Sequence, residues 1–489
     1  MRMPAQGRTK EDVFAALEEF GTDDLDVHGG GTFAYIYDAG PDVDDVAKRA
    51  YTRYLTENAL DPTVYPSLLR FENELVAMAI DHLQGDEEVV GNFTSGGTES
   101  CMLAVKTARD YFREKKPEIT EPEIILPVTA HAAFQKAAQY LCLKPVLVPM
   151  DPVTYKADPK AIEDAITPNT IQIVASAVSY AHGVIDPIEE IAAIAKKHDL
   201  LFHVDGCIGG FMLPYWRRLG EDVPPFSFEV DGVTSMSMDL HKYAYCPKGA
   251  SVILQRNKDL RRHQIFTCSS WTGYTVINPT ILSTKTGGPM AAAWAVMNFL
   301  GDEGYLSIAD KMLQATKKIR AGIAAMPEYE ILGDPELCLV AFTSDVMSIF
   351  PVIDEMKKRG WFIQPQLGFF GSKENIHLSI DQASLTQADA MLKDLRECTD
   401  IVKAKNEEAV PADIKEFVKA LTPDDFTPEL FQEFMKMLGS TDSGELPDGT
   451  TEINELLNVM DPGVAKKALT EYMNELYVPP QKSHSAAAE

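Results

Sequence analysis

The chain has 489 residues, 45% of them apolar, enough for one large α/β domain and a smaller one, and its formal net charge is −28. That charge argues against nucleic acid and against an anionic membrane surface as partners, and no run approaches the roughly 18 apolar residues that read as a transmembrane segment. The seven cysteines are scattered without C-x-x-C or metal-ligand spacing and the N-terminus lacks a secretory apolar core, so a reduced, cytoplasmic protein with no metal centre is expected.

In chain order, residues 11–20 predict an amphipathic helix with Val13, Leu17 and Phe20 on one face. Val27 to Thr32, with three consecutive glycines, reads as a hinge leading to Tyr35 and Tyr37. Helices near 43–56 and 67–83 follow. From about 86 to 256 the pattern alternates. Strands are expected at 88–93, 123–128, 145–149, 170–177, 200–204, 233–237 and 250–254, and helices at 97–114, 132–141, 158–166 and 187–198. This alternation predicts a mostly parallel sheet with helices on both faces. The last strand follows its neighbour too closely for a crossover helix, so it should run antiparallel. Residues 261–289 read as irregular. Helices at 290–299 and 303–325 lead to a small α+β region with strands near 338–343 and 375–380 and helices 347–358 and 386–398. Beyond 405 the chain is acidic and punctuated by proline, with helices at 412–420, 428–438 and 464–476, and the last dozen residues are expected to be disordered. The domain organisation read from this is 1–85 helical, 86–300 large domain, 301–400 small domain and 401–489 acidic helical extension.

Four stretches at predicted strand ends carry chemistry. The turn Thr94-Ser-Gly-Gly-Thr-Glu-Ser100 opens a helix, whose N-terminus offers unpaired backbone N–H groups and the positive end of its dipole. Such a turn holds a phosphate or is a plain glycine turn. His131 begins the next helix, where it either caps or stacks on a flat ring. Asp205 ends a buried strand, where it either caps a turn or keeps a heterocycle nitrogen protonated. His241 and Lys242 lie where the chain turns between two strands. A lysine at the mouth of a sheet is desolvated, so its pKa is expected to fall, as a Schiff-base lysine requires.

In this order and combination the four stretches resemble the group II decarboxylase branch of the pyridoxal-phosphate enzymes, over roughly residues 50–400. Within that branch they are most similar to the soluble sphingosine-1-phosphate lyase group. The likeness rests on the 94–100 turn, His131-Ala-Ala-Phe134, His182-Gly-Val-Ile-Asp-Pro-Ile-Glu-Glu190, Asp239-Leu-His-Lys-Tyr-Ala-Tyr-Cys-Pro-Lys-Gly249 and Lys358-Arg-Gly-Trp361. The resemblance implies an α/β fold of the aspartate-aminotransferase type (fold type I), with a mostly parallel large-domain sheet and a small α+β C-terminal domain. It implies pyridoxal 5'-phosphate as cofactor and a homodimer with shared active sites. Lys242 would be the Schiff-base lysine, Asp205 the partner of the pyridine nitrogen and His131 the stacking residue. Ser95, Gly96, Gly97, Thr98, Ser237 and His241 would complete the cofactor site. Tyr37, Asp61 and Lys248 would face a small-molecule amino substrate.

The activity implied is retro-aldol cleavage of a phosphorylated amino alcohol to an aldehyde and phosphoethanolamine. A group II amino-acid decarboxylase, an aminotransferase and a non-catalytic relic of the fold are the alternatives. Lys242 could move either proton of the cleavage, with His131, His182 and Tyr243 behind it. The departures from the lyase pattern fall on the substrate side. Leu60-Asp61-Pro62 stands for Leu-His-Pro, Trp271-Thr-Gly-Tyr-Thr-Val276 displaces a tyrosine, Lys285 stands where the group has arginine, and Leu240 where it has threonine.

Overall fold

The β-branched runs of the first half of the chain pair into one seven-stranded sheet. Its strands are β1 (Val90–Thr94), β2 (Glu123–Pro127), β3 (Lys144–Val148), β4 (Thr170–Ser176), β5 (Leu201–Asp205), β6 (Ser235–Asp239) and β7 (Ser251–Gln255), in the order β1-β7-β6-β5-β4-β2-β3. The computed structural model describes residues 3–26, 28–405, 409–437 and 449–479. Only β7 runs against its neighbours, as expected from the short link between Asp239 and Ser251. Strands β2, β4, β6 and β7 are buried at every position, so even the polar side chains of β6, Ser235, Ser237 and Asp239, lie inside the protein.

After the sheet, a hairpin of β8 (Phe266–Cys268) and β9 (Val276–Asn278) occupies the stretch expected to be irregular. The helix Gly287–Ala324 breaks at Gly301, whose φ of 58° interrupts the helical backbone, so two segments stand where two were expected. A second, antiparallel sheet follows. It consists of β10 (Glu330–Ile331), β11 (Leu339–Thr343), β12 (Gln364–Gln366) and β13 (Asn375–Ser379), in the order β10-β11-β13-β12. Helices Ala412–Ala420, Pro428–Met437, Thr451–Val459 and Pro462–Leu476 gather around their own apolar cluster, including Val418, Phe431, Leu456 and Val464.

Three helices escape the sequence pattern, one of them the single turn Lys258–Arg261 capped by Asn257. Gly209–Arg218 begins with two glycines and contains Pro214, so it reads as loop, yet Phe211, Met212, Leu213 and Trp216 bury it against the sheet. Thr451–Val459 is short, and Asp354 caps it by accepting from the backbone of Thr450 and Thr451. The Lys10–Phe20 helix forms as expected, but none of its side chains is buried, with Phe14 54% and Phe20 77% exposed. The expectation of a disordered end concerns residues 480–489, which lie outside the described residues, as do Val27 of the glycine hinge and Leu438 of the expected 428–438 helix. No helix among the described residues is long and apolar enough to cross a membrane.

The loop after β4 meets the start of β11 at Gly183, which donates to the Ser179 carbonyl at 2.9 Å and accepts from the Glu336 N–H at 2.8 Å. Its φ is +69°, and a Cβ there would overlap the Leu339 carbonyl oxygen. Gly183→Ala is therefore expected to cost about 3 kcal/mol by strain and overpacking together. Urea unfolding checks this, with a lower midpoint at an unchanged slope as the expected result.

Candidate active site

The carboxyl ends of β1, β2, β4, β5 and β6 converge on a cavity of about 370 Å³. Ligands in open α/β sheets bind at such an edge. Ser95, Gly96, Gly97, Thr98, His131, Asp205, His241 and Lys242, all singled out from the sequence, line it together.

Lys242 Nζ lies 2.9 Å from Asp239 Oδ2 at the end of β6, and His241 Nε2 lies 3.6 Å from the same oxygen. Burial works against the charge on Lys242, but the Asp239 carboxylate outweighs it, and the ammonium is held above the ordinary lysine range. The expected fall in its pKa is thus overturned, because the sequence reading counted the desolvation and not the counter-charge. Burial likewise opposes ionisation of Asp239, yet Lys242 and His241 bring its carboxyl below the usual range. Asp239 is a site residue that the sequence reading quoted without assigning. The signal was its i,i+3 spacing to Lys242 at a strand end.

Asp205 is held by a buried polar chain. Its Oδ1 accepts from the Cys207 N–H at 3.0 Å and from the Ser237 hydroxyl at 3.2 Å. With the Ser237 proton committed to that carboxylate, His203 Nε2, 3.2 Å away, is the donor to Ser237, and His203 Nδ1 accepts from Ser235 at 2.9 Å. Burial lowers the His203 pKa to about 4, so the ring is neutral and one tautomer persists. Ser237 braces Asp205 from behind and is not on the cavity wall. The Cys101 and Cys207 thiols lie within 4.8 Å of each other and of an Asp205 oxygen. The Cys101 contact and burial push the Cys207 thiol up, leaving it protonated and a poor metal ligand.

The turn at 94–100 is built to expose backbone donors. Ser100 is the first residue of its helix to bond back, to the Gly96 carbonyl at 3.1 Å. The N–H groups of Gly97, Thr98 and Glu99 thus have no intrahelical partner. The Glu99 carboxylate accepts from the N–H groups of Ser95, Ile281 and Leu282. A Cβ on Gly97 would come within 2.8 Å of both Asp239 oxygens, so only glycine brings the helix this close to the Lys242 pair.

Further side chains complete the rim. His131 caps its helix through Nδ1, accepting from the Ala133 N–H at 3.1 Å, which leaves Nε2 as the protonated nitrogen of the neutral ring. Tyr180, absent from the sequence expectations, also lines the cavity. Its hydroxyl donates to Gln364 Oε1 at 2.6 Å, and Gln364 Nε2 donates to the Tyr35 hydroxyl at 2.7 Å. Tyr37 and Lys248 line an adjoining cavity of about 530 Å³ that shares His241 with the first. The Lys248 ammonium donates to the Tyr35 carbonyl at 3.0 Å and sits 4.5 Å from the Tyr37 ring centroid. Burial of that tip, with the Lys242 charge nearby, lowers its pKa to about 8.

Asp61 is not brought to this site within the chain. It lines a separate cleft of about 850 Å³ and accepts from the Thr63 N–H at 2.8 Å. Lys285 lies in that cleft, bound at 2.7 Å to buried Glu72, and together they tie the end of β1 through the Phe93 backbone. His182 is buried beside Tyr155 and bonded to Ser372, and Tyr243 is buried with its hydroxyl on the Ile380 carbonyl. Neither lines the cavity, so neither reaches a proton in it.

The donor set fits pyridoxal phosphate. The helix N-terminus at Gly97 and Thr98 suits a phosphate, Asp205 suits a protonated ring nitrogen, and Lys242 supplies the amine. Asp239 Oδ1, buried without a partner, leaves acceptor capacity beside that lysine.

The family model described as the pyridoxal-dependent decarboxylase conserved domain matches residues 28–345. Residues 412–475 match one for a C-terminal helix-turn-helix domain of pyridoxal-dependent enzymes. Sphingosine-1-phosphate lyase of Arabidopsis thaliana is 43% identical over 361 residues, 73% of this chain and 65% of that protein, so the match spans just under two thirds of that relative. The solved structure of sphingosine-1-phosphate lyase from Burkholderia pseudomallei aligns with a TM-score of 0.79 at 33% identity, covering 83% of this chain and 94% of that one. A protein of Pyrococcus furiosus named "Probable L-aspartate decarboxylase" is 31% identical over 369 residues, 76% of this chain and 96% of that protein.

If Asp239 sets the charge of Lys242, Asp239→Asn should free the amine of its proton at lower pH. Each unit by which the pKa falls raises the neutral fraction about tenfold. Acetic anhydride labelling at pH 8, followed by peptide mass spectrometry, should find Lys242 at least tenfold more reactive in the variant. Unchanged labelling would refute the assignment.

Proposed function

The chain belongs to the pyridoxal-dependent decarboxylase family, and from that premise we propose that it is a carbon–carbon lyase of the sphingosine-1-phosphate lyase type. The substrate is a phosphorylated long-chain amino alcohol, and the products are a long-chain aldehyde and phosphoethanolamine. The observation that carries this reading is a second cationic site, Lys248 against Tyr37, in a cavity that adjoins the Lys242 cavity through His241. The cofactor's phosphate has its own place at Gly97 and Thr98, so a second cation suits a second phosphate.

Pyridoxal phosphate, when bound, supplies the electron sink for the broken bond. The protein's residues do the rest. Asp205, ordered by Ser237 and Cys207, holds a proton on the ring nitrogen opposite it. Ser95, Gly97 and Thr98 would hold the phosphate end and His131 would pack against the ring, limiting how the substrate's breaking bond can be oriented. The β-hydroxyl loses its proton to the Lys242 amine, the Cα–Cβ bond breaks to release the aldehyde, and Cα gains a proton. Lys242, kept charged by Asp239, is suited to deliver that second proton from Nζ. Tyr180, Gln364 and Tyr35 position the substrate from above.

A second reading, decarboxylation of an amino acid, is favoured by the Pyrococcus furiosus relative, matched along nearly its whole length. We also propose a cytoplasmic homodimer with shared sites. The reduced cysteines and net charge support the compartment. The exposed apolar side chains of the N-terminal helix and of the hairpin segment, including Trp271, Tyr274 and Ile277 beside the Asp61 cleft, support the second copy.

Incubation of holoenzyme with sphingosine-1-phosphate should yield a long-chain aldehyde and phosphoethanolamine by mass spectrometry. Carbon dioxide and an amine from a pooled set of amino acids, with no aldehyde, would establish the second reading instead. The pH dependence provides a further check. Lys248 is charged below about 8 and neutral above it, so KM for the phosphorylated substrate should rise as pH increases through 8. Lys248→Arg, charged throughout, should remove that inflection. A flat KM from pH 7 to 9.5 in the native enzyme would rule Lys248 out as the phosphate's cation.

A further inference from the structure

A second chamber lies away from the catalytic cavity, where the small antiparallel sheet meets the C-terminal helices. It measures about 410 Å³, and its walls include Ile353, Trp361, Ile363, Phe431, Phe434 and Leu457. Leu469, 48% exposed, marks its mouth. The charged groups on its walls are already engaged, and the Tyr472 hydroxyl is a neutral polar group beside them. Asp354 accepts from Thr450 and Thr451, Asn454 donates to Thr450, and Lys357 is likewise engaged. Trp361 Nε1 donates to Asp394 at 2.8 Å, so its ring presents only apolar surface.

An apolar cavity of about 150 Å³ stays dry and admits benzene, a six-carbon ligand. By the same proportion this chamber holds a chain of roughly 16 carbons. With no charged group left to compensate a charged head, and a net charge of −28 that disfavours anions, the head must be neutral. We propose that this chamber is a binding site for a neutral long-chain compound, and that its occupant is the aldehyde released by the cleavage. The identity of the occupant rests on the lyase reading, whereas the site itself does not. Residues 363–365 link the two chambers. Strand alternation sends Ile363 and Pro365 into the apolar chamber and Gln364 to Tyr180 and Tyr35 beside the catalytic one.

The test uses holoenzyme and a brominated 16-carbon alcohol, which cannot condense with Lys242 as an aldehyde would. Bromine in the chamber should quench the fluorescence of Trp361, and Trp361→Phe should remove the quenched component. Ala468→Phe, on the chamber wall, should weaken the apparent affinity at least tenfold with the thermal midpoint retained. Leu457→Phe serves the same purpose should that variant fail to fold. Quenching that persists in Trp361→Phe, or that neither filling variant alters, would overturn the site. Equal or tighter binding of the brominated 16-carbon carboxylate would overturn the neutral head. Quenching in a protein that cleaves no phosphorylated amino alcohol would leave the site standing and overturn only its assignment to the product.

Discussion

A buried carboxylate and a lysine three residues apart, Asp239 and Lys242, are the interaction around which this structure is arranged. A charge taken out of water is costly unless it is paired, so the two must stay together once the sheet forms. Their pairing requires the chain to turn at once after β6. The Leu240 and His241 N–H groups both donate to the Ala250 carbonyl, and Cys246 donates back to Leu240. A link this short cannot cross over, which is why β7 returns antiparallel. The backbone of β7 then receives β1, with Thr94 opposite Ser251, and this brings the Gly97 turn against Asp239. Phosphate turn and lysine therefore meet through one antiparallel strand, although about 145 residues separate them in sequence.

The remaining parts of the site are held by polar chains that would be expensive to leave unsatisfied. Asp205 is fixed through Ser237, His203 and Ser235 across β5 and β6, all inside the sheet. The base of β1 is fixed by Glu72, which accepts from the Asn92 side chain and the Phe93 N–H while pairing with Lys285. Lysine at 285 thus serves a structural ion pair here, and its single ammonium suffices because Glu72 and the Phe93 carbonyl are its partners. Above the cavity, Tyr35, Gln364 and Tyr180 join the N-terminal segment, the small sheet and the large sheet in one hydrogen-bonded line. Position across that opening depends on three separate parts of the chain at once.

Much of this was legible in the sequence because it is local. The seven strands of the main sheet were found near their expected places, since short β-branched or apolar runs bounded by turns mark them, and β1, β5 and β6 lead into residues of chemical interest. Lys242, Asp205, His131 and the 95–98 turn could be found for the same reason, each being a polar or small group directly after such a run. The elements that escaped were held by tertiary contacts against their own propensity: the glycine- and proline-bearing helix 209–218, the short edge strands β10 and β12, and the 451–459 helix capped by Asp354.

The sequence by itself determined the succession of strands and helices along the chain, the antiparallel return of β7 and the identity of the groups at the strand ends, because periodicity and link length act over a few residues. Only the tertiary structure decided the charge of Lys242, since its pKa depends on an oxygen 2.9 Å away that outweighs burial. Only the tertiary structure placed Lys248 against Tyr37, set Tyr180 on the cavity wall, and kept Asp61 in another cleft. Contacts across two hundred residues leave no periodic trace, because what they satisfy is geometry between elements and not the conformation of any one of them.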